Sequence, residues 1–112
     1  MNLLWLLLSC ASTLDTDAIC KEVGFAIASR TEECGLGSDL AEARYIAFEE
    51  QYTCVEVDPA DTAGVGGVSP ENLYHCPLAI RHLACELVEQ YGDDLDLWLT
   101  ASPTCRLLVE SN

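Results

Sequence analysis

Apolar residues recur at helical spacing over most of the chain. At 100° per residue, Cys20, Val23, Ile27, Thr31 and Cys34 fall on one stripe. That stripe predicts a first helix through Ala18-Ile19-Cys20 to Glu33, capped by Asp15 or Thr16. Gly35 and Gly37 should stop it. A second helix is expected from Ser38-Asp39 to the neighbourhood of Tyr52, with Asp39 and Glu42 spaced as a capping pair. Ala41, Tyr45, Phe48 and Tyr52 form its apolar stripe, and Leu40, Ala43, Ala47 and Cys54 a second face.

Residues 55–68 break the pattern. Asp58-Pro59 and the run Gly64-Val65-Gly66-Gly67 offer little to pack, so a flexible connection between two halves is expected there. Ser69-Pro70-Glu71 then combines a cap, a fixed φ and an acid at the positive end of a helix dipole. Pro77 either kinks the helix that follows or begins a fresh one capped by Cys76. Leu73, Cys76, Ile80, Leu83, Leu87 and Tyr91 share a stripe, which predicts one continuous helix to Tyr91, ended by Gly92. Nine steps of 100° place Cys85 opposite Cys76, so this helix is expected to be central, with cross-linked neighbours on two sides. Asp93 or Asp94 caps a short fourth helix through Trp98 to Thr100, and Pro103 closes it. No stretch shows sustained strand alternation. The fold class is therefore all-α, a small bundle of about four helices arranged as two helical hairpins. Cys34 to Cys54 and Cys85 to Cys105 are equally spaced, and both segments end in Thr-Cys. The echo fits either a duplicated hairpin or a chance likeness of two amphipathic hairpins.

Charge narrows the partners. The chain carries 19 Asp and Glu against 5 Lys and Arg, a net charge of −14. Nucleic-acid affinity rests on cations neutralising phosphates, so nucleic acid is not expected as a partner. Anionic membrane surfaces should repel the body of the protein.

The amino terminus changes the picture again. Leu3 to Leu8 is a run of six apolar residues. That is far short of the about 20 needed to span a bilayer, but it suits the core of an export signal over residues 1–9. The tetrad Leu7-Leu8-Ser9-Cys10 resembles the lipobox of bacterial lipoproteins, with the small Ser9 at the cleavage position. In that family the peptide is cut before the cysteine, and the cysteine carries lipid. The resemblance implies lipidation of Cys10, a short leader over residues 10–16 and a single helical domain over 17–112. Cysteine number and helical character add a looser similarity to small cysteine-rich bacterial lipoproteins of unassigned function. Saposins and elicitins are also helical with six cysteines, but the spacings here match neither.

Cys20, Cys34, Cys54, Cys76, Cys85 and Cys105 remain, and behind an export signal they imply three disulfides. Six cysteines allow 15 connectivities. On one helix Cys20 and Cys34 would stand about 21 Å apart, and Cys76 and Cys85 about 13 Å. A disulfide needs Cα atoms within about 7 Å, which removes five connectivities and leaves 10. Antiparallel hairpins put Cys20 with Cys54 and Cys76 with Cys105, and Cys34 with Cys85 then joins the halves. Cys105 is the least determined, because Pro103 leaves the chain's direction open and Cys85 is its other candidate.

Candidate chemistry is sparse. No Cys-x-x-Cys occurs, which argues against a thioredoxin-like redox site or a zinc ribbon. His82 and Glu86, four apart with Glu89 nearby, could share a metal, but an exposed polar face accounts for them more simply. Asp58 and Asp61, or Asp93, Asp94 and Asp96, could hold calcium. The EF-hand pattern fails at Ala60, Thr62 and Ser69, and the second cluster reads as the first turn of a helix. Gly67-Val68-Ser69-Pro70-Glu71 lacks the last glycine of a nucleophile elbow, and Gly64 to Gly67 lack the Lys of a phosphate loop. Trp98, between Leu97 and Leu99, is expected in the core rather than on a binding patch. No catalytic residue, metal site or cofactor is expected. The reading is an exported, lipid-anchored, non-catalytic protein of the bacterial cell envelope with a binding or structural role. Its partners are the membrane, through Cys10, and an unknown protein. The alternative is a secreted inhibitor or toxin-like module acting on another protein.

Overall fold

The computed structural model describes residues 16–55 and 70–112. The first helix, α1, spans Thr16–Glu33. Its end is a Schellman motif: Leu36 N–H donates to the Thr31 carbonyl and Gly35 N–H to that of Glu32. Gly35 takes φ +82° there, a conformation that favours glycine. Helix α2 spans Ser38–Gln51 and starts two residues earlier than the capping pattern predicts. Gly37, at φ +94°, is the cap, and no side chain bonds the first turn. Ser38 is already helical, so Asp39 and Glu42 are not a capping pair, and Asp39 acts only through the helix dipole.

Helix α2 ends in strand β1, Tyr52–Cys54, which pairs antiparallel with β2, Val109–Ser111, at the carboxyl end. The described residues are mostly helical, as the all-α class predicts, and this short ribbon is added to it. The ribbon ties the first half of the chain to its last residues.

The second half differs from the expected hairpin. A 3₁₀ turn over Pro70–Tyr74 leads directly into α3, His75–Arg81. Pro77 lies in the first turn of α3, where its missing N–H leaves no bond unmade. The helix then stops. His82 and Leu83 make tightened bonds to the Ala79 and Ile80 carbonyls, and Ala84 turns extended at ψ 141°. A fresh helix, α4, runs Cys85–Tyr91. The continuous helix through Cys76 and Cys85 is thus two short ones joined by an elbow at His82–Ala84. The cause lies on α1. Arg30 Nε donates to the Leu83 carbonyl at 2.7 Å, and Cys34, one turn further along, is bonded to Cys85. Gly92, at φ +56°, ends α4 as expected. A short helix α5 (Leu95–Trp98), a 3₁₀ turn (Leu99–Ala101) and helix α6 (Cys105–Leu108) complete the chain. The Cys34–Cys54 segment holds one long helix, whereas Cys85–Cys105 holds several short ones, so the sequence echo has no counterpart in the architecture.

Helix α1 is the central element, not the helix expected through Cys76 and Cys85. It packs against α2, α3, α4, α6 and β1. Its stripe of Cys20, Val23, Ile27 and Thr31 is buried, together with Ile19 and Ala26. From the second half come Leu73, Cys76, Ile80, Val88, Leu95, Trp98, Leu99, Cys105 and Leu108. Val88, rather than Leu87, is the fully covered position of α4.

Candidate functional site

The cysteines set the frame of the molecule. Cys20 is bridged to Cys54, Cys34 to Cys85 and Cys76 to Cys105, the same pairs that hairpin geometry favours. The Cα separations are 5.8, 5.4 and 5.0 Å, all within disulfide range. The first bridge lies within the first half and the third within the second. Cys34–Cys85 alone joins the halves covalently, reaching from the end of α1 to the first residue of α4. The bridges differ in access. Cys76 and Cys105 are fully buried, Cys20 is fully buried beside a half-buried Cys54, and Cys34–Cys85 pairs a half-buried with an exposed residue.

A second joint is polar, and the hydrophobic pattern gave no sign of it. Arg44 on α2 is 5 % exposed. Its Nη1 donates to Thr31 Oγ1 at 3.0 Å, and the Thr31 hydroxyl donates onward to the Ile27 carbonyl at 2.8 Å. Nε lies 3.4 Å from Asp93 Oδ1, and the guanidinium sits 5.6 Å from the Trp98 ring centroid. Trp98 is fully buried and donates through Nε1 to the Gly92 carbonyl at 3.0 Å, so it is a core residue rather than a binding patch. No signal short of knowing these partners could have placed Arg44 inside.

The same region holds Tyr52, whose hydroxyl donates to Asp96 Oδ1. Burial, then the Asp96 carboxylate, pushes its phenol up to about 12. Arg106 approaches the same carboxylate oxygen of Asp96, with Nη1 at 3.6 Å from Oδ1.

The residues considered as ligands do not converge. His82 closes α3 while Glu86 lies on α4, so the elbow separates the pair that one helix would have brought together. His82, Glu86 and Glu89 are exposed. Asp93 faces Arg44 and Asp96 faces Tyr52 and Arg106, so that acidic cluster serves the joints between segments. Among the described residues no group of three His, Cys, Asp or Glu is placed to hold a metal ion. Asp58, Asp61, Gly64 to Gly67 and Cys10 lie outside the described residues, as do residues 1–9.

The surface carries two further features. All five cations are paired with carboxylates: Lys21 with Asp17, Arg30 with Glu33, Arg44 with Asp93, Arg81 with Glu22 and Arg106 with Asp96. The acidic excess is therefore not offset by any unpaired cation. A groove of about 440 Å³ runs between α1 and α3, lined by Ala18, Ile19, Tyr74, Pro77 and Leu78 and closed on one side by the Arg81–Glu22 pair. Tyr74 and Leu78 are about half exposed beside it. Among the described residues no helix is long and apolar enough to cross a membrane. No protein-family model matches the chain, and no curated protein or solved structure does so either.

Proposed function

We propose that the protein is an exported, lipid-anchored domain of the bacterial cell envelope, binding or structural in role and without catalysis of its own. The observation that carries this reading is the combination of Leu7-Leu8-Ser9-Cys10 with three disulfides in the domain that follows. Disulfides persist in oxidising compartments outside the cytoplasm, and these three are consistent with an exported protein. A lipid on Cys10 would supply the membrane attachment that the acidic body does not, because every cation of the chain is already engaged with a carboxylate.

The test is processing. The wild-type chain should incorporate labelled fatty acid, begin at Cys10 and partition with membranes, and Cys10→Ser should move it to the soluble fraction. A wild-type product that never takes up the label would overturn the anchor.

The groove between α1 and α3, with Tyr74 and Leu78 exposed at its edge, favours a second reading: a secreted module that acts on another protein. It requires an unlipidated, soluble wild-type product, so the same fractionation separates the two.

A further inference from the structure

We propose that Cys34–Cys85 is a thiol–disulfide exchange site, opened by an external dithiol while the other two bridges stay closed. The inference goes beyond the anchoring reading and does not depend on it, because it concerns only the folded domain.

Exchange begins when a thiolate reaches one sulfur of a bridge, so access limits it. Cys85 is exposed and Cys34 half-buried, which makes this the most exposed of the three bridges. Cys20–Cys54 offers only the half-buried Cys54, and Cys76–Cys105 offers neither residue. In the reaction, one thiolate of the dithiol attacks Cys85 Sγ. Cys34 leaves as a thiolate and takes up a proton. The second thiol, once deprotonated, attacks the mixed disulfide, and Cys85 departs as a thiolate that is protonated in turn. The bridge gains two electrons and two protons, and the dithiol becomes a disulfide.

The opening is local. The contact of α1 with α3 runs through buried Ile19, Val23, Ile27 and Ile80 and does not involve this bridge. What the bridge holds is the elbow at His82–Ala84 and the start of α4. Its other ties there are the Arg30–Leu83 hydrogen bond and the burial of Val88. Reduction therefore frees the elbow and leaves the core packed.

Charge selects the reductant. Exposed Glu32 and Glu33 precede Cys34, and exposed Glu86 follows Cys85. The cations close in sequence are both committed, Arg30 to Leu83 and Glu33 and Arg81 to Glu22. An attacking thiolate is an anion, so this acidic rim repels it unless its carrier is cationic nearby. The fitting partner is a dithiol protein with a basic rim around its attacking cysteine.

The full chain, with bridges intact and any free thiol first capped by N-ethylmaleimide, is exposed to graded dithiothreitol. It is then quenched with iodoacetamide and mapped by mass spectrometry. Cys34 and Cys85 should become alkylated at least about tenfold faster than Cys20 and Cys54, with Cys76 and Cys105 last. Simultaneous opening of all three, or Cys54 reacting first, would overturn the proposal. Cysteamine should open the bridge faster than 3-mercaptopropionate once each rate is corrected for its thiolate fraction and for the nucleophilicity that rises with thiol pKa, and salt should shrink the difference. Equal corrected rates would overturn the assignment of a basic partner. The double variant Cys34→Ser/Cys85→Ser should lose the fast phase and keep its helical circular dichroism. Collapse of that variant would show that the bridge holds the whole fold, which contradicts local opening.

Discussion

Arg44 places its guanidinium 5.6 Å from the ring centroid of Trp98, so a cation from the first half of the chain is stacked on the largest core residue of the second. Both residues are buried, and a cation over an indole face is worth more there than at the surface. Thr31 supplies the hydrogen bond that makes the burial tolerable, and Asp93 meets the charge at its exposed edge.

Replacing Arg44 by Ala should therefore lower the unfolding free energy by about 2–4 kcal/mol, through lost packing, the Thr31 bond and the aromatic contact together. Arg44→Met, which keeps the stem and drops the charge, should cost less, because it restores most of the buried volume and the Asp93 partner it loses is itself exposed. Chemical denaturation followed by circular dichroism gives both values. If the two variants are equally stable, the volume that Met restores contributes nothing.

Stability at high pH should fall through Tyr52. Its folded phenol is pushed up to about 12, above the ordinary value of 10.0. The protonated hydroxyl that bonds Asp96 thus contributes stability that is fully present below about pH 10. That contribution is lost as pH rises through about 12, because the folded state then has to give up a proton it holds more tightly than the unfolded chain does. Tyr52→Phe should remove this loss and flatten the profile between those limits. Phenolate absorbance of the two proteins, compared across the titration, should differ by one late-titrating group.

Gly24 sits in the middle of α1, where glycine is ordinarily a weak choice. A Cβ at that position would meet the Phe48 ring at 3.1 Å and the Tyr45 ring at 3.2 Å. Tyr45 is half-exposed and could shift, though its ring is stacked on Phe25 at 5.0 Å. Phe48 is buried and has little room to move. Overpacking of about 1–3 kcal/mol should outweigh the gain of about 1 kcal/mol in helix propensity. Gly24→Ala should thus melt at a lower temperature than the wild type, and a raised melting temperature would mean that Phe48 yields.

The features legible in the sequence were those that a single element can encode. The stripe of Cys20, Val23, Ile27 and Thr31 states which face of α1 is covered, and the same periodicity brings Ala41, Phe48 and Tyr52 inward on α2 and β1. Helix geometry then removes two pairings, and antiparallel hairpins favour one set among the rest. Features created by contact between distant segments were not legible. His82, Leu83 and Ala84 are all compatible with a helix, and the elbow exists because Arg30 and Cys34 hold residues about fifty positions away. The ribbon of Tyr52–Cys54 with Val109–Ser111 has strands of three residues, too short for an alternating pattern. Arg44 has the chemistry of a surface residue, and only Thr31, Asp93 and Trp98 together make a place for it inside.

The elbow itself offers the sharpest separation of local from global stability. Arg30 Nε donates to the Leu83 carbonyl at 2.7 Å, a charge-assisted bond at the point where α3 has stopped and α4 has not begun. Arg30→Ala should cost about 1–2 kcal/mol, felt first at the elbow. The amides of His82 and Leu83, bonded to the Ala79 and Ile80 carbonyls, should then exchange with solvent faster, while those in the middle of α1 should not. The same variant should speed reduction of Cys34–Cys85, because the bridge would be the main remaining tie between the elbow and α1. Arg30→Lys keeps the charge but lacks the Nε donor at that position, so it should restore only part of the protection. Unchanged exchange at His82 and Leu83 in Arg30→Ala would mean that the disulfide alone fixes the break, and that the break would survive without the hydrogen bond.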